Sequence, residues 1–298
     1  MQTIPTQNSA PTAPTAMDDY LFDLRGFLHL KGAVSADHVA QCNAILDQTP
    51  DIAPGEWWDY VHRERTEASR GIALQQIYEA GEPFERLIDH PRYIELVKRY
   101  VGGENSFDWL HGPLFIDENF ASMRGPHQGI GMHSGGAECV KRCQYRYMNG
   151  QFMCGQINML IALTDIGPGD GATMVVPGSH KSNFKHPQIG EHCIKEGRGL
   201  DSVEGAIEVF MKAGDALLFV DAIYHGSATR KNPGERRITV YRYGPSWGNF
   251  RFGYKPSEEL LARLTPQRRQ IVYPWKHQVP PGKSGVLAGV GSENALSV

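Results

Sequence analysis

Two histidines and one arginine stand in surroundings that single them out for chemistry. His133 lies in Gly131-Met132-His133-Ser134-Gly135-Gly136, within a stretch of β texture. In an extended strand, residues i and i+2 point to one face, so His133 and position 135 are expected to face the same interior. By that geometry a His-x-Asp or His-x-Glu pair chelates a metal ion from a single strand. His225 follows Gly214-Asp215-Ala216-Leu217-Leu218-Phe219-Val220-Asp221, which reads as a turn and a buried strand, and it opens the next strand with Gly226 and Ser227. Eleven residues later Arg236 begins the run Arg236-Arg237-Ile238-Thr239-Val240-Tyr241. Alternation turns Arg236 inward with Ile238 and Val240, and Arg237 outward. An inward guanidinium calls for a carboxylate or phosphate partner, because an unpaired buried charge is very costly. Most of the other ten of the twelve histidines have bland readings, as surface or hydrogen-bonded residues.

These residues need elements to hold them. The first third reads mostly helical. Ser35 is an N-cap for a helix carrying Val39, Cys42, Ile45 and Leu46 at helical spacing. Glu67 to Ala80 and Pro83 to Val101 are two more expected helices, the second ending at Gly102-Gly103 with Pro91 as a break point. From about residue 112 the texture changes to short apolar or alternating runs: Leu114 to Ile116, Gly155 to Leu163, Thr173 to Val176, Ala206 to Met211, Ala216 to Val220 and Arg237 to Tyr243. Turns such as Gly167-Pro168-Gly169-Asp170-Gly171 and Asn232-Pro233-Gly234 separate them. The expectation is a mainly β protein, a double-sheet sandwich with flanking α-helices and a closing helix over Pro256 to Leu264.

The expected organisation is a disordered lead-in over 1–17, one domain over 18–287 and a flexible tail over 288–298. The lead-in is rich in Thr, Pro and Ala and has neither the basic nor the apolar region of a signal peptide. No apolar run approaches the roughly 20 residues that span a bilayer. The five cysteines form neither a CxxC pattern nor an even disulfide set, which reads as reduced thiols in a cytoplasmic protein. A net charge of −3 gives no general case for a nucleic-acid polymer as partner, though one basic pocket still suits a small anion.

The string Gly171-Ala172-Thr173-Met174-Val175-Val176-Pro177-Gly178-Ser179-His180-Lys181 resembles a stretch of the phytanoyl-CoA dioxygenase-like enzymes. So do Phe27 to Gly32 and the block running from Gly214 through His225-Gly226-Ser227 to Arg236, and the likeness covers roughly Asp19 to Gly244. The resemblance implies a double-stranded β-helix (jelly roll, cupin-like), with Fe(II), 2-oxoglutarate and O2 as cofactor and co-substrates. It implies His133 and His225 as metal ligands, Arg236 as the partner of the distal carboxylate of 2-oxoglutarate, and Ser227 as a hydroxyl supporting that carboxylate. His180 belongs to a structural turn in this reading. His127-Gln128-Gly129 is a second His-x-Gly, and His133 is favoured because Arg124-Gly125-Pro126 to Gly131 supplies the family's Gly/Pro-rich approach.

This sequence departs from the family at Gly135, where an Asp usually completes two histidines and a carboxylate around iron. Glycine removes a ligand and is expected to leave a hole the size of the missing side chain. Three readings follow. Chloride binds in the hole and restores the lost charge, as in the iron/2-oxoglutarate halogenases with His-x-Gly or His-x-Ala. Alternatively, water or another carboxylate such as Glu138 fills the position and the enzyme hydroxylates. In the third, the fold is a non-catalytic, cupin-like binder of small molecules, which the retained Arg236 argues against.

Lys141-Arg142-Cys143-Gln144-Tyr145-Arg146-Tyr147 mixes cations with aromatic rings. It reads either as a solvated loop or as a wall of the site where Lys141, Arg142, Tyr145 and Arg146 meet an anionic substrate. The whole also looks similar to halogenases of chlorinated purine nucleoside antibiotic pathways. That resemblance implies a purine deoxyribonucleotide such as 2′-deoxyadenosine monophosphate, chlorinated on its sugar. Trp57, Trp58 and Trp247 read as pocket or core residues.

Overall fold

The computed structural model describes residues 12–102, 111–135, 143–189, 203–248 and 254–274. In chain order the elements are α1 (Ala16–Arg25), β1 (Phe27–Leu30), α2 (Ala36–Leu46), β2 (Trp57–Trp58), β3 (Val61–Arg63), β4 (Ile72–Gln75), α3 (Glu82–Glu85), α4 (Ile94–Val101), β5 (Leu114–Arg124), β6 (Ile130–His133), β7 (Tyr147–Met148), β8 (Gln151–Phe152), β9 (Ile157–Ala162), β10 (Thr173–Val175), β11 (Ile207–Val209), β12 (Ala216–Val220), β13 (His225–Ser227), β14 (Arg236–Pro245), α5 (Glu258–Arg263) and α6 (Pro266–Val272).

Two antiparallel sheets make a sandwich. The larger runs β1-β12-β9-β14-β5-β4-β3-β2, the smaller β11-β10-β13-β6, and β7 and β8 form a separate hairpin. Period-two alternation sorts their side chains. Leu160, Leu217, Phe219, Ile238 and Val240 of the large sheet pack inward with Val175 and Val209 of the small one. Their neighbours Met159, Ile161, Leu218, Tyr241 and Tyr243 face the other way, into a layer built with Phe22, Val39, Cys42, Phe84, Val97 and Leu260 from the helices. The tyrosines anchor that layer: Tyr241 Oη donates to the Phe84 carbonyl at 2.6 Å and Tyr243 Oη to that of Ile88 at 2.9 Å. The β-rich double sheet with flanking helices is the expected jelly-roll class.

Local chemistry sets the helix ends. Ser35 Oγ caps α2 by accepting from the His38 amide at 3.3 Å. Thr15 and Asp18 form a reciprocal capping box on α1, and Gly26, at φ +82°, ends it. Order therefore begins within the segment read as lead-in, because Thr15 and Asp18 satisfy the first free amides. The tail over 288–298 lies outside the described residues.

The expected helix over Glu67 to Ala80 is corrected. Residues Ala68–Arg70 and Ile77–Ala80 are single 3-10 turns flanking β4. Gly71 at φ +83° stops the helical path, and Ile72 to Gln75 pair with Met123 to Phe120 of β5. With β2 and β3 this makes the first third more β-rich than its pattern indicated. The span Pro83 to Val101 is two helices, α3 and α4, separated around Pro91, and the closing helix is followed by a second, α6.

Candidate active site

Strands β6 and β13 bring the two histidines together. His133 and His225 are direct partners across the ladder, their ring centroids 4.3 Å apart. The pairing then slips, so that Ser227 opposes Ile130: Gly131 and Met132 form a bulge that re-aims the strand end. Each ring is oriented in the same way. Nδ1 of His133 lies 2.9 Å from the Gly131 carbonyl and Nδ1 of His225 2.9 Å from that of Ile223. A carbonyl only accepts, so both Nδ1 atoms carry the proton and both Nε2 lone pairs are left for a metal. Burial lowers the pKa of His225 to about 3, with the neighbouring His133 adding to the effect, and burial lowers that of His133 as well. Neutral imidazoles are the ligating form. Phe219, 4.7 Å away, packs on the His225 ring. His127, the alternative in the sequence, sits exposed in a turn at φ +67°, away from this pairing.

The cavity beside the imidazoles runs between the sheets and is lined by Phe120, Arg124, Thr173, Ser227, Arg236 and Arg242, among others. Arg236 is 1% exposed and points into it. Its Nη2 donates to Thr173 Oγ1 at 3.1 Å, while Nε and Nη1 are buried with no partner. Burial, with Arg230 nearby, lowers its pKa to about 10, still well above neutrality. Two unmet donors on a buried cation fit the carboxylate of a bound oxo-acid. Ser227 Oγ, in the same cavity, accepts from the Ile130 amide at 3.0 Å and from Arg124 Nη1.

Gly135 differs from its expectation. Strand β6 ends at His133, so Gly135 stands in a turn and strand alternation does not govern it. The hole expected there is filled. A Cβ on Gly135 would meet Cys143 Sγ at 2.5 Å and Asp221 Oδ2 at 2.6 Å. Asp221 is 4% exposed and its Oδ1 accepts from Asn158 Nδ2 at 2.8 Å. Burial works against its ionisation, but the neighbouring His225, the Arg242 charge and the hydrogen bonds from Cys143 and Asn158 hold it below the usual carboxylate range. At neutral pH the site thus presents a carboxylate beside two neutral imidazoles. Among the described residues no group of three or more His, Cys, Asp or Glu is arranged to hold a metal ion.

A profile of the phytanoyl-CoA dioxygenase family matches residues 22–238. The chain belongs to the phytanoyl-CoA dioxygenase family. This places it among the iron- and 2-oxoglutarate-dependent oxygenases, as an oxidoreductase. Dioxygenase cdmD of Talaromyces verruculosus is 28% identical over 235 residues, 76% of this chain and 67% of that protein. Dioxygenase cdmA of the same fungus is 33% identical over 136 residues, only 40% of its own length. Ectoine dioxygenase of Nocardia farcinica is 21% identical over 229 residues, 71% and 72% of the two chains. Among solved structures, HygX of Streptomyces hygroscopicus with nickel and 2-oxoglutarate bound superposes with a TM-score of 0.62 at 24% identity, over 80% of this chain and 90% of that one. It supports the fold.

The remaining expected site residues scatter. Lys141, Arg142 and Glu138 lie outside the described residues. Tyr145 donates its hydroxyl to Asp23 and sets its ring edge-on to His180 at 4.6 Å, so it serves packing on that side. It also lines a cavity of about 350 Å³ with Ser134, Ser182, Lys185 and Tyr224. Ser134 and Tyr224 each neighbour a site histidine in sequence, yet they line this cavity and not the one beside the imidazoles. Arg146 is exposed. Trp57 and Trp247 are 50% and 69% exposed and line neither cavity described here. His180 sits in a 3-10 turn with Nε2 3.0 Å from the Asp23 carbonyl, a loop-fixing place. Sequence reasoning missed Arg124, Asp221 and Cys143. Arg124 had a signal, the inward parity of a strand running to Arg124, but Leu114 to Ile116 alone was read as β. Asp221 and Cys143 had none, since only tertiary folding sets them beside Gly135.

Proposed function

We propose that this chain is an iron(II)- and 2-oxoglutarate-dependent halogenase that uses O2 and chloride to chlorinate an unactivated C–H bond of a small anionic substrate. One observation carries the reading: Gly135 provides no carboxylate two residues after His133, and the described donors form no three-ligand group. His133 and His225 would hold the iron, which would supply the oxidising power for hydrogen abstraction, and with only two protein ligands a position would be left for a halide. The protein's own residues orient the imidazoles through Gly131 and Ile223 and offer Arg236 and Ser227 to 2-oxoglutarate. For the substrate the reading is a purine deoxyribonucleotide such as 2′-deoxyadenosine monophosphate, attacked on its sugar.

Asp221 favours a second reading, hydroxylation. Its carboxylate, on the turn between β12 and β13, stands 2.6 Å from where a residue-135 side chain would begin. The two readings separate cleanly. Iron-loaded protein with 2-oxoglutarate, O2, chloride and 2′-deoxyadenosine monophosphate is expected to release succinate and give a product bearing the chlorine isotope pattern. Asp221→Asn is expected to keep that product. Hydroxylated product alone, whatever the chloride concentration, would sink the halogenase reading.

A further inference from the structure

Arg124 and Arg236 are direct partners across the β5–β14 ladder, so their side chains leave neighbouring strands on one face and enter one cavity. Both are buried, at 5% and 1% exposure. Like charges directly opposite one another on adjacent strands repel, and burial sharpens the repulsion. Six residues along β5 the same face shows the ordinary solution: Glu118 opposes Arg242, and the two are ion-paired at 2.6 Å. No such acid serves the other rung. Among the described residues neither Arg124 nor Arg236 has an ion pair, while Arg230, the next guanidinium, is paired with Asp170 at 3.1 Å. Burial, followed by the charges of Arg236 and Arg70, pushes the pKa of Arg124 well below the usual arginine value. A fold that sets two buried cations face to face without an acid is built for an anion from outside.

The head of Arg124 is held for that purpose. Its Nε donates to the Arg70 carbonyl at 3.2 Å and Nη1 to Ser227 Oγ. Because Ser227 Oγ also accepts from the Ile130 amide, its own hydroxyl proton is left to donate. Gly71 makes room at this point: a Cβ there would meet Arg124 Cγ at 2.8 Å.

We propose that Arg124 is a second cosubstrate-binding residue, and that it and Arg236 clasp the distal carboxylate of 2-oxoglutarate between two guanidiniums, with Ser227 donating between them. The proposal rests on the 2-oxoglutarate reading of this cavity. Nickel-loaded protein provides the test, by calorimetric titration with 2-oxoglutarate and with 2-oxovalerate, which keeps the metal-binding oxo-acid end but lacks the distal carboxylate. Arg124→Gln and Arg236→Gln are each expected to weaken 2-oxoglutarate at least tenfold and to leave 2-oxovalerate within twofold of the parent. Arg124→Lys, which keeps the charge but not the fork, is expected to fall between parent and Arg124→Gln, and it serves if the glutamine variant does not fold. If Arg236→Gln weakens 2-oxoglutarate and both Arg124 variants bind it like the parent, the clasp is overturned while the cavity keeps its cosubstrate. Equal weakening of both ligands by the Arg124 variants would make Arg124 structural, and it also overturns the proposal. No effect from any variant would overturn the cosubstrate reading itself.

Discussion

At the scale of single residues, the site is defined by a glycine whose surroundings are full. In Gly135→Asp the new side chain would start within 2.6 Å of Cys143 Sγ and the Asp221 carboxylate. Overpacking of this kind costs about 1–3 kcal/mol, and the second buried carboxylate adds repulsion. The expected outcome is loss of chlorinated product together with a lower Tm. Adding Cys143→Ala and Asp221→Asn is expected to recover the Tm; a Gly135→Asp protein as stable and as active in chlorination as the parent would refute the packing and the halide assignment together. Arg236→Ala removes a charge-assisted contact worth about 1.5–3 kcal/mol. The 2-oxoglutarate concentration for half-maximal succinate release is therefore expected to rise about tenfold to a hundredfold. An unchanged requirement would mean that another cation holds the cosubstrate.

At the scale of elements, the β5–β14 ladder carries both the site and the stability of the sandwich. Its Glu118–Arg242 rung is partly buried, with side chains 19% and 17% exposed, and Glu118 Oε1 also accepts from Gln75 at 3.0 Å. Glu118→Gln removes the ion-pair partner of Arg242. A fully buried broken pair costs about 3–5 kcal/mol, and residual solvent screening here brings the expected loss to about 1–3 kcal/mol. Denaturant unfolding of the variant checks this, and an unchanged midpoint would show that the rung is not stabilising. The opposite sign is expected at the other rung. Arg124→Met removes an unpaired like charge, so the ligand-free protein is expected to melt at the same temperature or higher, and a clear drop would contradict the account of that rung.

For the whole molecule, acid is the expected weak point. His90 is 8% exposed, lies 6.0 Å from His38 and stacks on Tyr93 at 5.4 Å. Burial, reinforced by the charges of His38, Arg86 and Arg268, lowers its pKa to about 4, and burial lowers that of His38 too. The folded protein thus binds fewer protons than the unfolded chain, in which a His titrates near 6.5. Stability is fully present above about pH 6.5 and is lost as pH falls towards about 4, with no further loss from this group below that; the whole interval is worth about 3 kcal/mol for His90. His90→Phe, which keeps the stack, is expected to lose less stability between pH 7 and pH 5 than the parent in urea unfolding. Parallel losses in the two proteins would remove His90 from the account. No helix of the described residues is long and apolar enough to cross a membrane.

The sequence by itself determined the β-rich class, the strands that carry His225 and Arg236, the inward face of Arg236 with Ile238 and Val240, and the capped start of α2. These are legible because alternation and capping act over a few residues. Helical texture in Glu67 to Ala80 was misleading, since pairing with β5 outweighs local propensity. Tertiary structure alone decided what lies beside Gly135, and it set Arg124 opposite Arg236. Both come from strand register, which joins residues more than a hundred positions apart and which no local pattern encodes.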